Sequence, residues 1–117
     1  MSDTFSPTAY YNAGMLATIT LTTESVDGYA IDPINPEIAG VFDPNLQSLS
    51  GFPVALSRLG NEVGSFIARF RIPTGLESVG TYLVVVKWVD AETNYERHRI
   101  YSLIVGVPFG SNSVVGL

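Results

Sequence analysis

Three stretches in the second half of the chain decide the fold: Ser65-Phe-Ile-Ala-Arg-Phe-Arg-Ile72, Thr81-Tyr-Leu-Val-Val-Val-Lys-Trp-Val89 and Tyr95-Glu-Arg-His-Arg-Ile-Tyr-Ser-Leu-Ile-Val105. Each is rich in β-branched and aromatic residues, which favour strands. Residues 73–80 connect the first two stretches, and residues 90–94 make a hairpin turn between the last two. Because no window shows a sustained 3.6-residue period, the sequence predicts an all-β protein.

Alternation along the strands predicts which side chains form the core. A further stretch, residues 15–24, places threonines on one face and apolar residues on the other. This period of two is typical of antiparallel strands with one buried face. The side chains predicted to be buried are Met15, Ala17, Ile19, Leu21, Phe66, Ala68, Phe70, Ile72, Tyr82, Val84, Val86 and Trp88.

The spacing of turns predicts a two-layer sandwich. Shorter strands are expected at residues 38–43 and 53–59, whereas the two prolines in residues 30–37 favour a loop. About seven strands with turn signals at roughly ten-residue intervals indicate an antiparallel immunoglobulin-like β-sandwich. Residues 15–107 form this domain, residues 1–14 an edge strand or an arm lying on a neighbour, and residues 108–117 a tail.

Tyr82 supports that fold through its position. It enters a strand directly after the loop 73–80, where its ring can be buried and its hydroxyl can bond back to the loop backbone. Leu76 would pack beneath the same loop. The chain has no cysteine, so the sandwich has no disulfide and depends on packing.

Composition narrows the class of function. Only 15% of the 117 residues are charged, against roughly 25% in an average soluble domain, so apolar surface should face outward and contact partners. No secretory signal or membrane span is visible, and a cytoplasmic origin is expected. Residues 1–57 carry six acidic and no basic residues, whereas residues 58–117 carry six basic and five acidic ones. An acidic chain with no basic cluster is a poor nucleic-acid binder. The asymmetry is compatible with head-to-tail contacts between copies or with a neighbour, and equally with chance segregation of a few charges.

Two groups of residues are candidate contact surfaces. Leu83, Val85 and Val89 lie on the face of their strand opposite Tyr82, which suggests a covered outer patch; strand propensity alone would also explain them. The last strand combines arginine with tyrosine, a composition common in interfaces and equally compatible with a solvated face of paired charges. That group is Tyr95, Arg97, Arg99 and Tyr101, and the N-terminal segment adds Tyr10 and Tyr11.

No motif predicts an enzyme or a cofactor. His98, the chain's single histidine, lies two residues from Glu96 on one strand face, but no nucleophile motif accompanies the pair. The glycine-rich tail lacks the Lys-Ser/Thr ending of a phosphate loop. Four acids in loops could hold calcium without matching an EF-hand, and solvated loop acids explain them more simply. They are Asp27, Asp32, Glu37 and Asp43.

The order of these features resembles the small immunoglobulin-like domains encoded in the structural gene clusters of tailed bacteriophages. Nearly the whole chain takes part. The matching elements are Gly14 before residues 15–24, Asp27-Gly28, Asp32-Pro33, Asp43-Pro44, Gly64-Ser-Phe66, Gly80-Thr-Tyr82 with Trp88, and residues 95–105. The chain departs from antibody domains, because Val84 stands where their second cysteine would be and Trp88 lies on this strand instead of strand C.

The resemblance implies a non-enzymatic virion structural protein. It would be a subunit on the capsid, as cement or decoration, or in the neck, tail or baseplate, contacting other virion proteins and copies of itself. An alternative is a module that binds carbohydrate or a host surface through aromatics at loop tips. Those aromatics are Tyr10, Tyr11, Tyr29 and Phe52. An enzyme or enzyme accessory domain would have only Glu96 and His98 to work with.

Overall fold

Eight strands make up the computed structural model, which describes residues 8–75 and 78–107. No helix within these ranges is long and apolar enough to cross a membrane. The strands are β1 (Thr8–Asn12), β2 (Leu16–Thr22), β3 (Ile34–Phe42), β4 (Val54–Ala55), β5 (Ser57–Arg58), β6 (Ser65–Arg71), β7 (Gly80–Val89) and β8 (Glu96–Gly106).

The strands form two sheets, which confirms the predicted sandwich. The larger sheet has the order β1-β8-β7-β3-β4 and the smaller the order β2-β6-β5. β1 runs parallel to β8, and the other pairs are antiparallel. Immunoglobulin domains place strands C, F and G in one sheet and strands B, E and D in the other. Here β3, β7 and β8 share the larger sheet, and β2, β6 and β5 form the smaller one. The N-terminal edge strand is therefore part of the larger sheet.

The core lies between the sheets and contains most of the predicted residues. Ile19, Leu21, Tyr82 and Trp88 are buried, and Phe70 is buried with Phe52 packed edge-on at 5.6 Å between ring centroids. Phe66 is half-buried against this cluster. The other buried predictions are Ala17, Ala68, Ile72, Val84 and Val86. The last strand contributes Leu103 and Val105.

Three details differ from the sequence prediction. Met15 is 41% exposed because it belongs to the turn before β2, where its N–H bonds the Asn12 carbonyl. β3 begins at Ile34, inside the predicted loop: Asn35 has a positive φ of 49° and the register shifts there. A bulge of this kind admits Pro36 into a strand. The stretch 53–59 is divided into β4 and β5 at Leu56, where the chain crosses between sheets.

Two tyrosines close one side of the sandwich. β2 is an edge strand, and unpaired backbone groups on an edge are costly and invite aggregation. The Tyr11 hydroxyl accepts the Thr18 N–H at 3.0 Å and donates to the Thr18 carbonyl at 3.3 Å, and the Tyr101 hydroxyl donates to the Thr20 carbonyl. Burial raises the pKa of Tyr101, and nearby Arg99 partly opposes that rise. Both tyrosines therefore join the two sheets.

Replacing Tyr101 with phenylalanine tests this closure. We expect Tyr101→Phe to lower the free energy of unfolding by about 1 kcal/mol, since it keeps the ring and removes one hydrogen bond. Tyr95→Phe is the matched control, because Tyr95 is 72% exposed on the hairpin. Urea unfolding of both variants measures the difference, and equal stabilities would show that the Tyr101 bond contributes nothing.

Gly64 fixes the meeting point of two loops. Its φ is +80°, its carbonyl accepts the Thr23 N–H at 2.9 Å, and its own N–H donates to Asp32 Oδ1 at 2.6 Å. A Cβ at this position would lie 2.8 Å from the Thr23 carbonyl oxygen, whereas a Cβ on Gly60, at φ +59°, meets nothing within 4 Å. Of these two glycines, Gly64 combines the backbone strain with steric exclusion, and Gly60 has the strain alone.

The comparison of Gly64→Ala with Gly60→Ala separates these two effects. We expect Gly60→Ala to cost about 1–2 kcal/mol of stability, the strain of a left-handed alanine. Gly64→Ala should cost at least about 2 kcal/mol more, because rigid backbone opposes the added methyl group. Denaturant midpoints report both values. Equal losses of stability in the two variants would show that the backbone around Gly64 moves to accommodate the added methyl group at no cost.

Candidate interaction surface

The outer face of the larger sheet is apolar across four strands. Pairing places Val85 beside Ile100 on one side and Gly40 on the other, and Leu83 beside Ser102 and Phe42. Ile104 and Tyr10 continue the surface onto β8 and β1. The most exposed members are Tyr10 at 74%, Ile100 at 44% and Ile104 at 38%. We call this surface the outer apolar face; its members are Tyr10, Phe42, Leu83, Val85, Ile100 and Ile104.

A row of charges crosses this sheet beside the outer apolar face. Lys87 Nζ lies 3.7 Å from Glu37 Oε2 and 3.8 Å from Glu96 Oε2, and His98 Nε2 lies 3.2 Å from the same Glu96 oxygen. Val89 and Ile34 pair on the far side of the row. An apolar centre bordered by polar groups is the usual anatomy of a protein interface.

The outer face of the smaller sheet has a different chemistry. It presents Thr20 and Thr22 from β2 and Arg69 and Arg71 from β6, all exposed. Ile67 is half-buried there, and Leu16 is 45% exposed at its end. The two sheets therefore expose opposite kinds of surface, and only the larger one is apolar over several adjacent strands.

The structure distributes the predicted contact residues over several places. Leu83, Val85 and Tyr10 belong to the outer apolar face, and Val89 lies beyond the charged row. The opposite side of the sheet carries Arg97, Arg99 and Tyr101, which pair with core residues of β7, and Tyr11, which pairs with the core residue Val105 of β8. Tyr95 lies on the hairpin.

The alternation in β8 explains this separation. Leu103 and Val105 are core residues, so residues 97, 99 and 101 share their face. Arg97 Nε lies 3.4 Å from Asp90 Oδ2, and the Arg99 guanidinium lies 5.5 Å from the centroid of the Trp88 ring. Ile100 and Ile104, which the sequence reading missed, occupy the alternate positions. Counting backward from the core residues at the end of β8 would have found them.

A cleft opens where the two sheets separate beside Arg97 and Arg99. Its volume is about 720 Å³, and it lies between residues 22–33 and 90–93 above Trp88. Glu92 Oε1 accepts the Val26 N–H at 3.1 Å and connects the two loops. Arg97 and Arg99 therefore line this cleft, where they contact Asp90 and Trp88, and they do not belong to the outer face of the sheet.

The aromatics of the carbohydrate hypothesis do not form one platform. Tyr10 lies on the outer apolar face, and the Tyr11 hydroxyl contacts β2. Tyr29 is 66% exposed in the loop between β2 and β3, and Phe52 packs on Phe70. Their separation leaves no shared surface on which a sugar ring could stack against two of them.

The four candidate calcium ligands are also apart. Asp32 accepts hydrogen bonds from Arg58 and Gly64, Glu37 faces Lys87, and Asp43 Oδ1 accepts the N–H groups of two residues in its own turn at 2.9 Å. The described residues contain no group of three metal-binding side chains. The Glu96–His98 pair is about half exposed on an open sheet face.

Asp32 titrates abnormally because of its partners. The Gly64 N–H is the largest cause that holds the Asp32 pKa below its usual value of 3.8; partial desolvation opposes it, and Arg58 lowers the pKa further. A depressed carboxyl pKa stabilises the fold at pH values above the unfolded pKa. That contribution is lost as the pH falls through the folded pKa.

The variant Asp32→Asn tests this linkage. We expect wild type to be more stable than Asp32→Asn by a constant amount between about pH 5 and pH 7, because this range lies above the ordinary carboxyl pKa of 3.8. Below about pH 4 the advantage should shrink, because the wild-type carboxylate becomes protonated. Urea unfolding of both proteins across this pH range measures the difference in their free energies of unfolding. A difference that does not change with pH would contradict the assignment.

No family model and no curated protein sequence matches this chain.

Proposed function

We propose that this chain is a non-enzymatic structural protein of a tailed-phage virion, which binds neighbouring virion proteins through its outer apolar face. The resemblance of its sequence motifs to phage immunoglobulin-like domains suggests the setting. The observation that carries the binding role is the apolar surface shared by β1, β8, β7 and β3, with Ile100 and Val85 on its two middle strands, beside the charged row. Such contiguous apolar surface on a small domain is typical of an interaction site.

The size of the sheet face limits the strength of a single contact. Four strands about 4.8 Å apart and eight residue steps of about 3.3 Å, from Thr81 to Val89, cover roughly 500 Å² of sheet face including the charged row. The outer apolar face occupies about half of that area. Contact with an equal partner surface would bury about 1,000 Å² in total, near the lower bound for a specific interface. Many copies bound at once to one particle would hold far more firmly through multivalency.

The charged row gives this contact a preferred orientation. Lys87 is flanked by Glu37 and Glu96, so a partner sliding toward Val89 must cross three adjacent charges. Uncompensated charges cost free energy when they are buried, and complementary ones fix register. The row therefore favours partners that cover the apolar area and leave the charges at the rim, whether on the capsid or in the neck, tail or baseplate.

The variant Ile100→Glu tests the proposed function. In a phage culture that produces the chain, we expect wild type to sediment with gradient-purified particles. Ile100→Glu should lower the bound fraction at least about tenfold, since a carboxylate would be buried in the contact. Ser50→Glu, exposed in the loop between β3 and β4, is the matched control and should bind as wild type does.

Mass spectrometry of the particles gives the readout, and thermal unfolding confirms that both variants fold. Absence of the wild-type chain from the particles would refute the virion assignment. Equal binding of Ile100→Glu and wild type would refute the role of the outer apolar face.

A further inference from the structure

Three loops at one end of the sandwich concentrate acidic residues. The loops 23–33, 59–64 and 90–95 contain six of the eleven acids in the chain and none of its basic residues. They form a single end, because Thr23 bonds Gly64 and Val26 bonds Glu92. We call this the loop end. Its acids are Glu24, Asp27, Asp32, Glu62, Asp90 and Glu92.

Half of these acids have no side-chain partner among the residues that the structure describes. Asp32 pairs with Arg58, Asp90 with Arg97, and Glu92 accepts the Val26 N–H. The side chains of Glu24, Asp27 and Glu62 make no ion pair or hydrogen bond to any other described residue, and all three residues are exposed. The loop end therefore has unpaired negative charge available to a partner.

Exposed apolar side chains accompany that charge on an ordered loop. Val26 is 88% exposed, Tyr29 66% and Val63 50%. Hydrogen bonds within the loop hold the first two in place: the Ser25 N–H bonds the Tyr29 carbonyl at 2.8 Å, and Ser25 Oγ accepts the Asp27 N–H at 3.2 Å. Large apolar groups on a pre-ordered loop lose little conformational entropy when they are covered.

The outer face of the smaller sheet has the opposite charge. Arg69 and Arg71 are exposed there, and no described residue on that face is acidic. Among the described residues, the Arg69 side chain makes no ion pair or hydrogen bond, and the Arg71 side chain donates one hydrogen bond, to the Gly14 carbonyl at 2.9 Å. This face, with Leu16 and Ile67 beside the arginines, is called the arginine face.

We infer that the loop end of one copy docks on the arginine face of a second copy. Opposite unpaired charges would meet, and Val26 and Tyr29 would cover Leu16 and Ile67. Arg71 is seven residues along β6 from Gly64, which places it about 24 Å from the loop end, so one molecule can use both surfaces at once. A contact between two different surfaces repeats from copy to copy and produces rings or filaments. The outer apolar face takes no part, so this inference does not depend on the proposed function.

The test uses two complementary variants, both carrying Ile100→Glu to exclude contacts through the outer apolar face. The first variant adds Glu24→Gln, Asp27→Asn and Glu62→Gln, and the second adds Arg69→Gln and Arg71→Gln, so that neither altered surface gains a charge that could attract the other. At low salt the parent Ile100→Glu protein should self-associate in sedimentation velocity, and each variant alone should associate at least about tenfold more weakly, the effect expected from two or three exposed ion pairs. An equimolar mixture should form a dimer, because the second variant keeps an intact loop end and the first an intact arginine face.

Salt gives a further readout, since exposed charges are screened at high ionic strength. The parent protein should therefore dissociate as sodium chloride is raised, and mixing should restore dimers only at low salt. A parent protein that stays monomeric at low salt, variants that associate as the parent does, or a mixture that stays monomeric would each overturn the inference. Thermal unfolding of both variants before mixing confirms that they are folded.

Discussion

The structure depends on one strand, β7, being apolar on both faces. Its inward residues, Tyr82 to Trp88 in alternation, are at most 5% exposed and occupy the centre of the core. Its outward residues are also apolar: Leu83 lies beside Phe42 on β3, and Val85 lies beside Ile100 on β8. Because a strand alternates its side chains, the sequence that builds the core also commits the other face to apolar surface. A small two-layer domain has no third layer to cover that surface.

The sequence predicts most of the architecture because alternation reports burial directly. In β6 and β7 the predicted core residues are those that the sheets bury, with Phe66 at the margin. Prediction fails where backbone geometry overrides composition. Pro36 suggested a loop, and a bulge at Asn35 instead admits it into β3. The alternation in residues 15–24 predicted a buried Met15. Gly14, with its positive φ, turns the chain before β2 begins, so Met15 lies in the turn.

The candidate surface was only partly predictable, for a different reason. Leu83 and Val85 can be identified from their own strand, whereas the contribution of Ile100 depends on which face of β8 points inward. Arginine and tyrosine in β8 suggested a contact face, yet Tyr101 joins the sheets and Arg99 covers Trp88. Interface-like composition does not distinguish side chains that bind a partner from those that bind the other half of the same domain. Strand pairing supplies that distinction.

The crossing at Leu56 connects the sheets on the side opposite Tyr11 and Tyr101. A single residue separates β4 in one sheet from β5 in the other, and the Leu56 N–H bonds the Pro36 carbonyl at 2.9 Å. Sliding of one layer over the other is therefore blocked by covalent chain on one flank and by tyrosine hydroxyls on the other. Load applied to the apolar side of such a domain would reach its threonine- and arginine-bearing side through both flanks, and shear between the layers would have to break these connections.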